Sequence, residues 1–409
     1  MENFSTDDIV GKVLEAISKE FTEMKTLNVM VLGKTGVGKS TLINNMFNEP
    51  LAQTGIGKPI TSQIKKIEKP GFPLSIYDTP GLELGGDFAV DTLFQGVTSE
   101  IKRGVRSGDI GNAIHCIWYC VSTTSHRFEQ TEIDFLKKFL GEIEYCNVPV
   151  IIVLTQSFNK SDAERMKAEI EKENLGVAAI VPVLAQDYQI DEDYTKKAYG
   201  LDTLSQIMND VIPESMQKTF VSIQKANIEL KKRRAQAVVT ASALAAATTS
   251  AVPIPCADAA LLVPEQIAML AAITGAFGIP VEKATLMTVV SGTIGTASTT
   301  VLGRSVVTGI LKLVPGVGTV VGGVISSTTA AALTAALGES YIAVLMTICT
   351  GKLTLADLKN ERGQELIRTI FHEQLKLNRD NKGKILDQNA ADIKPADPSL
   401  INTPAAPES

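Results

Sequence analysis

Gly33-Lys34-Thr35-Gly36-Val37-Gly38-Lys39-Ser40, led in by Val29-Met30-Val31-Leu32 and followed by Thr41, Leu42, Ile43 and Phe47, decides how this chain folds. Four apolar residues, a glycine-rich turn and a run with apolar positions at helical spacing read as strand, loop and helix. Glycines at 33, 36 and 38 let the backbone curl, so that successive N–H groups and the start of the helix face one point, the arrangement that binds phosphate. Lys39 adds a positive charge for the β- and γ-phosphates, Ser40 a hydroxyl for Mg2+, and Thr41 a contact to the α-phosphate. Phosphate binding is therefore assigned to Gly33, Lys34, Thr35, Gly36, Val37, Gly38, Lys39, Ser40 and Thr41.

Outward from this loop, strand and helix patterns alternate: Asn28–Leu32, a helix from Lys39, Leu74–Tyr77, Ile114–Val121, a helix from Glu129, Val148–Leu154, a helix from Ser161, and Val177–Val183. Such alternation predicts an α/β fold, a mostly parallel sheet with helices on both faces. Ile64–Glu68 is joined to Leu74–Tyr77 by a short connection through Pro70-Gly71, which predicts an antiparallel hairpin at the edge. Asp78-Thr79-Pro80-Gly81 then ends a strand near the loop, as an acid must to complete a Mg2+ shell, with the Gly81 N–H placed to sense the γ-phosphate. Between the two motifs Gly57-Lys58-Pro59-Ile60-Thr61 has little periodicity and is expected to be a mobile loop. Thr61 is the candidate that closes on Mg2+, with Thr54 as its rival. The expected metal ligands are thus Ser40, Thr61 and Asp78, and the expected catalytic residues Lys39 and Thr61.

The order of phosphate loop, intervening threonine and Asp78-Thr79-Pro80-Gly81 resembles the Era-like and septin-like branch of regulatory GTPases, over about Leu27 to Pro213. The resemblance implies a P-loop NTPase G domain that binds GTP and GDP with Mg2+ and hydrolyses GTP. The guanine motif of such proteins, Asn or Thr, then Lys, any residue and Asp, should follow Val148–Leu154. Thr155-Gln156-Ser157-Phe158 stands there instead, and a literal Asn159-Lys160-Ser161-Asp162 follows four residues on. Register favours Thr155 and Gln156 as the base-facing residues, with Ser161 and Asp162 as the cap and first turn of the next helix. The resemblance places the last base contact at Ala185, in Val183-Leu184-Ala185-Gln186. Where Ras-like relatives orient water with a glutamine, this chain has Leu82, which implies slow turnover raised by self-association, a partner, or a cis group such as His126, Arg103 or Arg106. A nucleotide-dependent scaffold with incidental hydrolysis, or an ATPase, stays open as an alternative.

The chain has 409 residues, room for two domains and a tail, and its net charge of −6 argues against general nucleic-acid binding. Five cysteines with no C-x-x-C pair, and no leader at the N-terminus, imply a cytoplasmic protein. Val10, Leu14, Ile17, Phe21 and Met24 mark an amphipathic helix expected to pack on the domain that follows it. Expected divisions are that helix in 1–26, the G domain in 27–213, a connecting helix with a basic end, Lys231-Lys232-Arg233-Arg234, in 214–234, an all-α apolar domain rich in small residues in 235–360, a polar helix in 361–382 and a tail in 383–409. The apolar half, through Pro253-Ile254-Pro255 and Leu313-Val314-Pro315-Gly316-Val317-Gly318, resembles the YcjF-like domain of unknown function behind some G domains. Uncharged runs at Ala284–Gly303 and Leu313–Gly338 pose two readings, close-packed soluble helices or membrane hairpins with lipid contact across 231–351. Interrupting prolines and the acids Asp258 and Glu265 favour peripheral or hairpin insertion over full spanning.

Overall fold

A computed structural model describes residues 6–49, 51, 56–61, 64–79, 87–125, 128–249, 258–279 and 327–354, with single positions at 360, 365, 369 and 373. Two compact units divide the chain: Met24–Asn227, and Met1–Glu23 together with Ile228–Ser409. Gly81, Leu82, Thr54 and His126, the run Ala284–Gly303, most of Leu313–Gly338 and the tail from 383 lie outside the described residues.

Helix α1 spans Thr6–Thr22; it belongs to the second unit and is taken up below. Met24–Asn227 is built on a seven-stranded sheet. Its strands are β1 Leu27–Leu32, β2 Ile56–Thr61, β3 Ile64–Lys69, β4 Phe72–Asp78, β5 Cys116–Ser122, β6 Val150–Thr155 and β7 Ala179–Pro182, in the order β2-β3-β4-β1-β5-β6-β7. β4, β1, β5, β6 and β7 are parallel, whereas β3 is antiparallel to both β2 and β4. β1 and β6 are buried along their whole length, as parallel strands covered on both faces must be. Helices α2 Lys39–Met46, α3 Asp87–Arg106, α4 Gln130–Ile143, α5 Lys160–Lys172, α6 Leu201–Val211 and α7 Glu214–Ile223 complete the unit.

The segment expected to be a loop at Gly57–Thr61 is strand β2. Ile56 to Pro59 and Thr61 pair with β3, and Pro59 is tolerated beside a register shift on an edge strand. On one face of the sheet Met30, Leu32, Tyr119, Ile152 and Leu154 meet Phe94, Phe135 and Phe139 of α3 and α4. On the other, the single tryptophan, Trp118, is fully buried and stacked on Phe47 at the end of α2, ring centroids 5.8 Å apart.

The second unit contains α1, α8 Ile228–Thr249, α9 Asp258–Phe277 and α10 Ser327–Cys349. Val13 and Ile17 of α1 sit in one core with Val238 and Val239, Leu270 and Ile273, and Tyr341 and Val344. The amphipathic helix thus buries its apolar face among the C-terminal helices and not, as its position in the sequence suggested, on the domain that follows it. Nor does one helix run from Glu214 into the basic cluster. Gln224 adopts an extended ψ of 150° and closes a small turn, its Nε2 donating to Asn227 O (2.9 Å) and its Oε1 accepting from Asn227 N (2.8 Å).

Lys231 to Arg234 therefore opens α8 instead of ending a helix. Lys231 is buried, its Nζ donating to Phe277 O at 2.9 Å, the last carbonyls of α9 being natural partners for a cation. Burial holds its amine down to about 7, against a smaller opposing effect of Cys349. Gly278, at φ +62°, ends α9 with its N–H on Thr274 O. Among the described residues no helix is long and apolar enough to cross a membrane.

Candidate functional site

The loop 33–38 leaves the end of β1 at the middle of the sheet, between β4 and β5. Gly33, at φ +143°, passes so close to β5 that a Cβ there would meet Cys120 O, and Gly38, at φ +92°, begins α2 from the left-handed region. Both conformations exclude an ordinary side chain. Lys39 Nζ folds back over the loop, donating to Gly33 O (2.9 Å) and Lys34 O (3.1 Å), while Ser40 is exposed at the first turn of α2. Lys34 reaches the other way, to Glu129 (2.9 Å) and Glu132 (3.4 Å) at the start of α4. Burial works against its charge, but those two carboxylates hold its ammonium above the usual lysine value.

Asp78 ends β4 directly beside Val31 of β1, and Thr79 Oγ1 donates to Val31 O. One oxygen of Asp78, Oδ1, is buried with no hydrogen-bond partner. Burial raises its carboxyl above the usual aspartate value, opposed by the charges of Lys39 and Lys65. Lys65 stands opposite Asp78 in the antiparallel ladder, and Thr61, at the end of β2, pairs with Ile64 next to it. The pairing of β2 with β3 and of β3 with β4 therefore brings the backbone of Thr61 to the same end of the sheet as Asp78.

The end of β6 is tied into the phosphate loop by side chains. Thr155 Oγ1 donates to Val37 O (2.5 Å) and also lies 3.1 Å from Val121 O. Gln156, at φ +52°, accepts from Ser122 Oγ (2.5 Å) and donates to Gly36 O (3.1 Å). Ala185, half-buried, follows Leu184, which pairs with Tyr199, while Ser157 N donates to Val183 O. The literal Asn159-Lys160-Ser161-Asp162 is taken up by the start of α5: Asn159, not Ser161, is the cap, its Oδ1 accepting from Ser161 N, and Asp162 bonds Arg165.

Arg103 and Arg106 are not brought to the loop. Arg103 is clamped by Glu100, and the last turn of α3 packs on the Ile110–Asn112 turn, where Gly104 abuts Asn112. That turn is bonded to Asn28 at the start of β1, the end opposite the loop. Sequence reasoning missed the hairpin of Tyr188–Gln189 and Thr195–Lys196, whose Tyr188 packs on Phe158 with centroids 4.3 Å apart. Two-residue strands among Asp, Glu and Lys carry no periodicity to detect.

The sheet order, the glycine loop closing β1 and the lone acid ending β4 define the class: a P-loop G domain joined to a helical domain. Residues 23–213 match the family model described as Septin, and residues 216–379 match the domain of unknown function DUF697. The first stretch is thus similar to septin-type G domains and the second to DUF697 domains, in keeping with the resemblance to the Era-like and septin-like GTPases and to the YcjF-like domain. Septin-1 of Drosophila melanogaster is 26% identical over 196 residues, 42% of this chain and 53% of that protein. GTPase Era of Pseudomonas fluorescens (strain Pf0-1) is 29% identical over 196 residues, 46% of this chain and 55% of that protein. The chain thus spans about half the length of the curated relatives it matches. A crystal structure of a probable GTP-binding protein engB, 15% identical, covers 46% of this chain and 99% of that one with a TM-score of 0.31, too slight a likeness to bear on function.

Proposed function

We propose that this chain binds GTP and GDP with Mg2+ and hydrolyses GTP slowly to GDP and phosphate, as a switch acting on its DUF697 domain. The observation that carries this reading is the buried, unpartnered Oδ1 of Asp78, one strand from the glycine loop and within the field of Lys39. Ser40, Thr61 and Asp78 offer the hard oxygens that suit Mg2+, which would neutralise charge on the β- and γ-phosphates as the phosphoryl group moves. The chain's own groups do the rest. N–H groups of Gly33 to Thr41 surround the phosphates, and Lys39 turns its charge from the loop carbonyls to the β,γ-bridge. Thr155 holds the loop in shape through Val37, and Thr61 and Gly81 respond to the γ-phosphate.

Leu82 follows Gly81 where a glutamine would orient water, so intrinsic turnover is slow and is raised by a second copy of the chain or a protein partner. Single-turnover GTP hydrolysis by the wild type, Lys39→Ala and Ser40→Asn, at low and high protein concentration, tests this. Slow wild-type hydrolysis that rises with concentration and vanishes in Lys39→Ala supports it. Undiminished turnover in Lys39→Ala, or fast turnover in dilute wild type, overturns it. GTP-dependent self-association that survives blocked hydrolysis would move the assignment to a scaffold. Flotation with anionic vesicles in GTP and in GDP reads out peripheral lipid contact of the helical domain.

A further inference from the structure

The base side of the site departs from the phosphate side in its chemistry. A carboxylate that accepts hydrogen bonds from guanine N1–H and N2–H would have to follow β6, and the residue there is Phe158. Gln156 does not take over that role. Its amide oxygen is engaged by Ser122 and its amide nitrogen by Gly36 O, and the side chain lies across Gly38. Ser157 is likewise committed: its hydroxyl donates to Leu154 O (2.7 Å) and its carbonyl accepts from Tyr199 OH (2.8 Å). Two carboxylates flanking this region are held elsewhere, Asp162 by Arg165 (2.7 Å) and Asp187 by Lys197 Nζ and Ala198 N (both 2.8 Å).

What does stand at this position is an aromatic surface. Phe158 packs against Tyr188 with rings inclined at 47°, and Tyr188 keeps 45% of its surface exposed. Tyr188 lies three residues after Ala185, on a hairpin tied back by Asp187 to Lys197 and Ala198. Aromatic faces attract any purine, because every base has a π-face, whereas discrimination between purines requires groups that bond the base edge.

Resting on the nucleotide binding proposed above, we propose that purine recognition here depends on the Phe158–Tyr188 aromatic pair in place of a carboxylate. The site accepts guanine, hypoxanthine and adenine nucleotides with similar affinity. Hypoxanthine lacks only the 2-amino group, so its nucleotide isolates the bond that the missing carboxylate would make.

Competition of GDP, IDP, ADP and CDP against fluorescent mant-GDP on the full chain with Mg2+ tests this. IDP within about threefold of GDP, ADP within about tenfold, and CDP weaker than all three is the expected result. IDP or ADP weaker than GDP by about a hundredfold or more overturns the inference while leaving GTP binding intact. Failure of mant-GDP to bind at all removes the nucleotide reading and this inference with it. Tyr188→Ala, at an exposed position, is expected to weaken all three purine nucleotides by about tenfold without changing their ratio. An unchanged affinity for all of them also overturns the proposal. Phe158→Asp installs the missing acceptor and is expected to favour GDP over IDP by about tenfold or more.

Discussion

Replacing Lys231 by methionine removes a charge from the core of the helical unit while keeping most of the side chain's length. Burial lowers this amine from 10.5 to about 7, which at about 1.4 kcal/mol per pH unit is roughly 5 kcal/mol of cost to the folded state at or below pH 7. Between pH 7 and 10.5 the unfolded chain keeps a proton that the folded chain has released, so wild-type stability climbs with pH across that window and is lowest beneath it. Methionine abolishes that climb. It also leaves Phe277 O, now 2.9 Å from Nζ, without its donor, a loss of about 1–3 kcal/mol. Lys231→Met should therefore stabilise the helical unit near pH 7 by roughly 2–4 kcal/mol, with the gain shrinking and then reversing as pH approaches 10. Urea unfolding of the full chain from pH 6.5 to 10 measures this. Trp118, inside the G-domain sheet, reports that unit by fluorescence, and circular dichroism reports both, so the difference isolates the helices. A variant that is less stable than wild type at pH 7, or whose stability rises with pH as steeply, would refute the reasoning.

Thr155→Val removes the donor between β6 and the phosphate loop and should weaken mant-GDP binding roughly tenfold, about 1–1.5 kcal/mol, with the fold retained; unchanged affinity would mean the tie does not shape the loop. Gly338→Val puts a Cβ against the Val239 side chain, 3.0 Å from its Cγ1 and 3.1 Å from Met269 Sδ, and should cost about 1–3 kcal/mol, read as a lower melting temperature of the helical signal. His115 is buried and neutral, its Nδ1 accepting from Asn28 N and its Nε2 facing Ile110 O, and burial holds its value below 6.5. Its contribution is complete above pH 6.5 and is lost as pH falls below that value, so the urea midpoint followed by Trp118 should drop as pH falls below 6.5, and His115→Gln should flatten that drop.

The phosphate loop was legible because each residue type has one physical use there: glycines for backbone that no other residue adopts, Lys39 for charge, Ser40 for a small hydroxyl. Strands β1 and β6 were legible from unbroken apolar runs. β2 was not, since Gly57, Lys58 and Pro59 interrupt it and only its pairing with β3 makes it a strand. Periodicity showed that α1 has an apolar face, but a face does not name its partner. The basic run at 231–234 misled for a related reason: composition cannot distinguish a solvated lysine from one that caps a distant helix. At the base side, register favoured Thr155 and Gln156 as base-facing, whereas their side chains are committed to the phosphate loop and to Ser122. That Gln156 turns its amide onto Gly36 and Ser122 depends on a left-handed backbone at a non-glycine residue, for which no sequence signal exists.

Because α1 shares its core with helices that begin at Ile228, the helical unit is discontinuous in the chain, with the whole G domain interposed between its first helix and the rest. On a ribosome adding about 5–20 residues per second, the roughly 200 residues in between delay the meeting of Val13 and Ile17 with their partners by about 10–40 s. Throughout that interval an amphipathic helix has an apolar stripe whose partners have not yet been made. The G domain, by contrast, finds all of its own contacts within a continuous stretch. The order of synthesis thus runs from an exposed helix, through a self-sufficient domain, to the later helices that close one core around the first.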